Sequence, residues 1–247
     1  IRDRYSIMIK VTYLDHSGFI LSTPEAYLVF DYYKDPNHDL ERVIADNKSL
    51  PVIFLVTHHH PDHFNTSIFE LCQNRTHAYV LSNDIFSMIV PKKGISVAWM
   101  SAGDIIDSLP GDITVKAYGS TDAGVSFLVT LKDGTRIFHA GDLNDWHWNE
   151  ESHKEEARKA EDHFTKIVNR ISEDVSEINI VMFPVDVRQG TDYARGAEIF
   201  LNRIKVDNFL PMHFNGPTSK ACDFASYVPA GVKTYCLDTP GKTVEIK

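Results

Sequence analysis

Apolar residues in this chain fall into short runs of about five, rich in β-branched and aromatic side chains and separated by Gly, Pro, Asp or Asn. Such runs occupy Ile7–Tyr13, Gly18–Leu21, Tyr27–Tyr32, Val52–Val56, Ala78–Leu81, Ile95–Trp99, Ile113–Ala117, Val125–Leu131, Arg136–His139, Ile178–Pro184, Asn208–Pro211, Thr234–Cys236 and Thr243–Ile246. Each predicts a strand. Lys132-Asp133-Gly134-Thr135 lies between two of them and predicts a hairpin turn, because Asp-Gly readily adopts the positive φ that such turns need. Helical spacing appears in three places. After Asn149, the residues Ala157, Ala160, Phe164, Ile167, Val168 and Ile171 step by three and four, with Glu150→Lys154 and Glu155→Lys159 as supporting pairs. Thr191 is placed to cap a helix carrying Ala194, Ala197, Phe200, Leu201 and Ile204, and another is expected near Asn65 with Ile68, Phe69 and Cys72. No repeat, low-complexity tract or linker interrupts residues 1–247, which predicts a single α/β domain of sheets covered by helices.

Composition narrows the class. Of 247 residues, 43% are hydrophobic and 24% charged, which excludes disordered, collagenous and coiled-coil chains. The 25 Lys and Arg against 34 Asp and Glu give a net charge of −9, and without a basic cluster nucleic acid is not an expected partner. No run reaches the roughly 18 apolar residues of a membrane span, and IRDRYSIMIK does not read as a signal peptide. Met8 reads as a native start, with residues 1–7 as an extension. Cys72, Cys222 and Cys236 form no CxxC pattern, so neither a disulfide framework nor a thiolate zinc site is expected, and the setting is expected to be cytoplasmic.

The 12 His change the picture, because His58, His59, His60 and His63 fall within six positions. They follow the apolar run Val52–Val56 in Thr57-His58-His59-His60-Pro61-Asp62-His63. In an extended segment His58, His60 and Asp62 share a face while His59 points away. Imidazoles with a carboxylate suit zinc and related first-row metals, and a cation offsets the repulsion and burial cost of grouping them. A surface His-rich loop binding metal incidentally is the plainer alternative, and the core-type run directly before the motif weighs against it. Two more strand ends supply what a two-metal site would need: Phe138-His139-Ala140-Gly141-Asp142 and Phe209-Leu210-Pro211-Met212-His213. Alone, either is an ordinary turn Asp or an ordinary His.

The combination His58-x-His60-x-Asp62-His63, Gly141-Asp142 and His213 resembles the metallo-β-lactamase superfamily. Val11-Thr12-Tyr13-Leu14-Asp15-His16-Ser17-Gly18-Phe19, followed by Tyr27–Asp31, is similar to that fold's first hairpin, and the chain is most similar to the branch that includes ascorbate-6-phosphate lactonase. The resemblance implies a four-layer αββα sandwich. It also implies two metals, His58 and His60 on one, Asp62, His63 and His213 on the other, and Asp142 bridging. Zinc is expected, with manganese or iron as alternatives, and the implied activity is hydrolysis of a small ester, lactone, amide or phosphoester by a metal-activated hydroxide. A non-hydrolytic di-iron or metal-sensing protein on the same scaffold is the alternative. Asp62 and His147 are the expected catalytic side chains, His147 as a protonator of the leaving group. The sequence departs from the superfamily in Tyr118–Gly124, where a further His is usual and Ser120 or Asp122 stands instead. Asp31 is placed to orient a ligand His or merely to end a strand, and His139 to sit in the core. Trp146 and Trp148 either wall a pocket or pack the next helix, and Asp186 and Arg188 either face the groove or pair with each other.

Overall fold

The computed structural model describes residues 8–89, 94–148, 151–214 and 218–247; the expected extension at 1–7 and Glu150 of the expected Glu150–Lys154 pair lie outside the described residues. Its strands in chain order are β1 (Ile9–Asp15), β2 (Gly18–Ser22), β3 (Tyr27–Phe30), β4 (Val52–Val56), β5 (His77–Ser82), β6 (Val97–Met100) and β7 (Ile105–Leu109). They continue with β8 (Ile113–Gly119), β9 (Val125–Thr130), β10 (Arg136–His139), β11 (Glu177–Pro184), β12 (Lys205–Met212), β13 (Lys233–Thr234) and β14 (Thr243–Ile246). The helices are α1 (Asp39–Ile44), α2 (Lys154–Asp174), α3 (Arg195–Arg203) and α4 (Thr218–Cys222).

Among the described residues the strands make two seven-stranded sheets, ordered β14-β1-β2-β3-β4-β5-β6 and β13-β12-β11-β10-β9-β8-β7. In the first, β14, β1, β2 and β3 pair antiparallel and β3 to β6 parallel. The second repeats this scheme, with β7 to β10 antiparallel and β10 to β13 parallel. The sheets stack into the expected αββα sandwich. Phe19, Phe30, Ile53 and Leu55 of the first sheet share one buried cluster with Phe127, Phe138 and Met182 of the second. On the far side of the first sheet, Val52, Phe54 and Val56 pack with Leu40 and Val43 of α1 and with Ile68 and Phe69. Burial on both faces explains why β4 reads as an unbroken apolar run. The second sheet is covered by Phe164, Val168 and Ile171 of α2 and Ala197, Phe200 and Leu201 of α3.

The hairpin at Lys132–Thr135 forms as expected, with Gly134 at φ 92° and the Leu131 N–H donating to the Thr135 carbonyl at 2.9 Å. Three expectations are corrected. The turn near Asn65 is a short 3-10 segment, Thr66–Phe69, with the Asn65 side chain accepting from the Ser67 N–H. Thr191 does not cap a helix: it lies in a 3-10 stretch, Val187–Asp192, kinked at Gly190, and α3 starts later with Ala194 before it. Cys222, at the end of α4, and Cys236, just past β13, are disulfide-bonded, with only Cys72 free. The two cysteines are 14 positions apart with no local signal between them, and the pairing depends on β13 returning alongside β12. Among the described residues no helix is long and apolar enough to cross a membrane.

Candidate metal centre

At the end of β4 the chain leaves the sheet edge with the Thr57–His63 motif. Strand alternation holds through its first residues: His58 and His60 face one space with Nε2 and Nδ1 3.0 Å apart, while His59 turns away to Asp84 at 2.8 Å. Alternation then stops, because the His63 and Phe64 N–H groups both donate to the His60 carbonyl and close a turn over Pro61. Asp62 consequently does not join His58 and His60; its Oδ2 lies 3.4 Å from His16 Nε2. Asp142, reached from β10 through Gly141, is 4% exposed and sits at the middle of the group. Its Oδ2 is 3.2 Å from His58 Nε2 and 3.8 Å from His60 Nδ1, and its Oδ1 is 3.1 Å from His63 Nε2 and 3.3 Å from His213 Nε2. Two glycines permit this closeness. Gly141 has φ 55°, and a Cβ on it would lie 2.8 Å from Thr57 Cβ; Gly124 has φ 65°, and a Cβ there would lie 2.1 Å from the Thr57 carbonyl oxygen.

Three of the inward imidazoles, His58, His63 and His213, are held from behind. Asp31, fully buried at the end of β3, accepts from the Thr57 N–H, the Thr57 hydroxyl and His63 Nδ1, each at 2.7 Å. The Thr57 hydroxyl donates its one hydrogen bond to Asp31, so it accepts from His58 Nδ1 at 3.0 Å, which leaves the His58 Nε2 lone pair aimed inward. His213 Nδ1 bonds Asp186 at 3.0 Å, and Arg188 also grips Asp186. Imidazoles backed by carboxylates or hydroxyls with Nε2 directed inward are the usual arrangement around a bound metal. Charge follows the geometry. Burial would lower His63, but Asp31 and Asp142 push it up to about 10; burial likewise opposes His213, which Asp142 and Asp186 raise to about 9. Burial would raise Asp142 and Asp186, yet the facing imidazoles hold Asp142 well below the carboxylate range, and His213 and Arg188 hold Asp186 at about 2.

One member of the cluster was not anticipated. His16, in the β1–β2 turn, is 5% exposed, and its ligand nitrogen lies with those of His63 and His213 inside a 4.8 Å span; His58, His60 and Asp142 form a second such trio. Burial lowers His16 to about 4, with His213 and His63 adding to the effect. His16 Nε2, His63 Nε2 and Asp142 Oδ1 are all buried without a hydrogen-bond partner. Buried polar atoms are rarely left so, and a cation among them would satisfy all three. The donor set therefore fits a metal.

A cavity of about 330 Å³ opens on this group, lined by His60, Asp62, Asp122, Asp142, Trp146 and Arg188, among others. Asp122, half exposed in the turn where the resemblance leads one to expect a His, stands 4.0 Å from His60 Nδ1. Ser120 instead accepts the Asp122 N–H at 3.3 Å. Trp146 and Trp148 stack with centroids 6.3 Å apart and both wall the cavity. Arg188 pairs with Asp186 and lines the cavity as well, so both alternatives hold at once. His139 is a core residue: its Nδ1 accepts the Gly141 N–H at 3.1 Å and its Nε2 donates to the Ser17 carbonyl at 2.8 Å. His147 does not line the cavity. Its Nε2 bonds Asp192 at 3.0 Å and its Nδ1 lies 3.3 Å from Asp145, which removes the expected route to a leaving group.

Over residues 10–160 the chain matches the family described as Beta-lactamase superfamily domain; Asp186 and His213 lie beyond that span. A UPF0173 metal-dependent hydrolase of Methanobrevibacter smithii is 30% identical over 148 residues, 54% of this chain, and the match spans 60% of that protein's length. Among solved structures, the chain is similar to Igni18, a metallo hydrolase from Ignicoccus hospitalis, with a TM-score of 0.66 at 17% identity over 97% of this chain and 99% of that one. It is also similar to CmlA, a diiron beta-hydroxylase from Streptomyces venezuelae, with a TM-score of 0.62 at 11% identity over 97% of this chain and 54% of that one.

Proposed function

The chain belongs to the Beta-lactamase superfamily, and from that premise we propose that it is a hydrolase dependent on two divalent cations held around Asp142. One observation carries the reading: a single buried carboxylate offers one oxygen to His58 and His60 and the other to His63 and His213. Cations bound there would acidify water to a pKa near 7 and polarise a carbonyl or phosphoryl oxygen. Donors that are all imidazole nitrogen and carboxylate oxygen suit zinc, and manganese or iron as well.

The chain's own residues would do the rest. The Asp31–His63 and Asp186–His213 contacts fix the ring orientations, and the wall of Trp146 and Trp148 excludes water from one side of the cavity. Asp62, on the cavity lining and 46% exposed at its side chain, is the carboxylate best placed to take or return a proton. Arg188 presents positive charge to the same space and suits a substrate bearing an anionic group. A cavity of about 330 Å³ suits a small molecule. The resemblance to the lactonase branch favours a small ester, a lactone or a phosphorylated metabolite within that class.

A panel of lactones, esters, amides and phosphodiesters, run on untagged protein of known metal content, tests the proposal. Turnover of at least one class that disappears on chelation and returns with zinc or manganese supports it. A coloured, reducible iron centre without hydrolysis would favour the di-iron alternative instead.

A further inference from the structure

We infer that Trp146 and Trp148 form a recognition wall for a substrate with a flat apolar ring beside the reacting bond, and that His147 is the positioning residue that holds this wall in place. The inference deepens the hydrolase reading above and rests on it for the metal centre that the wall adjoins. The ring centroid of Trp146 is 5.2 Å from that of His213, and its Nε1 donates to the Asp142 carbonyl at 2.7 Å. Its other neighbour is Trp148, stacked at 6.3 Å with 20° between the planes. The two indoles make one near-parallel surface that starts beside a metal ligand and runs outward to Trp148, which is left 38% exposed. Both line the cavity. A large apolar side chain exposed at the mouth of such a cavity marks a contact surface, and an indole face is best matched by another flat ring.

The residues alternating with the indoles keep the wall where it is. Asp145 and His147 do not line the cavity and are 1% and 5% exposed. His147 Nε2 bonds Asp192 at 3.0 Å and its Nδ1 lies 3.3 Å from Asp145, whose other oxygen lies 3.4 Å from Arg195 Nε at the start of α3. Gln189 ties the same loop to the Val187–Asp192 stretch by donating to the Asp145 carbonyl at 2.7 Å and accepting from Asn144 Nδ2 at 2.8 Å. Helix α3 comes this close because residue 196 is Gly: a Cβ there would lie 1.9 Å from Asn144 Oδ1. Apolar side chains would bury such a loop at lower cost, whereas directional polar contacts hold it to one position. A wall that sorts substrates beside a metal needs that precision, to within about 0.5 Å.

Benzohydroxamate and acetohydroxamate share a metal-binding group and differ in the ring, so calorimetric titration of the zinc-loaded protein with each isolates the wall. The wild type is expected to bind benzohydroxamate at least about 10-fold more tightly, the equivalent of one aromatic contact. Trp148→Ala loses that preference. His147→Ala lowers it several-fold with the acetohydroxamate Kd unchanged, and His147→Gln, which keeps a donor for Asp192, recovers part of it. Equal affinities in the wild type overturn the inference, as does a His147→Ala protein that keeps the full preference or weakens both probes alike. Should His147→Ala fail to fold, Asp192→Ala, which removes the partner of His147 nearer the surface, takes its place under the same criteria. Ring preference in a protein that hydrolyses nothing would sink the hydrolase reading and leave the wall standing, whereas hydrolysis without ring preference would do the reverse.

Discussion

Asp31 shows how one side chain can set a site it never enters. It is fully buried, keeps its charge by accepting three hydrogen bonds, and orients His63 directly and His58 through Thr57. Burial alone would raise its pKa; the imidazoles of His139 and His63 reverse that. Asp31→Asn should lower metal affinity about 10–100-fold, read by chelator competition, and unchanged affinity would reduce Asp31 to a strand terminator. Protons and metal compete here. His63 and His213 have folded pKa values of about 10 and about 9, above the ordinary His value. In metal-stripped protein their pairing stabilises the fold fully below about pH 6.5 and is lost as pH rises through those values. Metal affinity should rise over the same window, with protons released at pH 7. Calorimetry in buffers of different ionisation enthalpy measures that release, and its absence would contradict the geometry. The motif His58–His63, Asp142 and His213 was legible because each closes an apolar run. His16 was not, since a lone His in a turn carries no local sign that β1 and β2 deliver it to His63 and His213.

Between elements, the decisive contacts are where the turn before β9 and the turn after β10 press on Thr57. Gly124 combines a left-handed φ of 65° with only 2.1 Å between an added Cβ and the Thr57 carbonyl oxygen. Gly124→Ala should therefore destabilise by at least about 2 kcal/mol and lower metal affinity in the same variant. Urea unfolding measures the first effect, and a midpoint like the wild type's would show that the turn yields freely. The elements most visible in the sequence were those with strong patterns: β4, buried on both faces, and α2, whose Phe164, Val168 and Ile171 repeat along one side. β7 escaped notice because Asp107 and Ser108 break its apolar run at an exposed sheet edge, and α1 because six residues are too few to establish a helical period. Thr191 has the chemistry of a cap but lies beside the kink at Gly190, so the chain spends another three residues before α3 begins.

In the whole molecule, strands β3, β4, β10 and β12, from two sheets, end at one place, and the proposed cations would tie those ends together. Binding there should stabilise the native state by about 2.7 kcal/mol when free metal is 100 times its Kd. Chelation should then lower Tm by roughly 5–10 °C, a shift that calorimetry with and without chelator would detect. An unchanged Tm would mean that the sheet ends hold together without a cation. Sheets covered by helices were legible from the strand and helix patterns, and the four-layer sandwich only from the resemblance carried by the His and Asp motifs, whereas the Cys222–Cys236 link depends on a return that no pattern announces. The most direct test of the central claim is the metal content of untagged wild type and Asp142→Asn, measured by elemental analysis after gel filtration. About two divalent ions per chain in the wild type, and one or fewer in the variant with its fold preserved, is the predicted result. A wild type without metal, or a variant that retains the wild-type content, would contradict it.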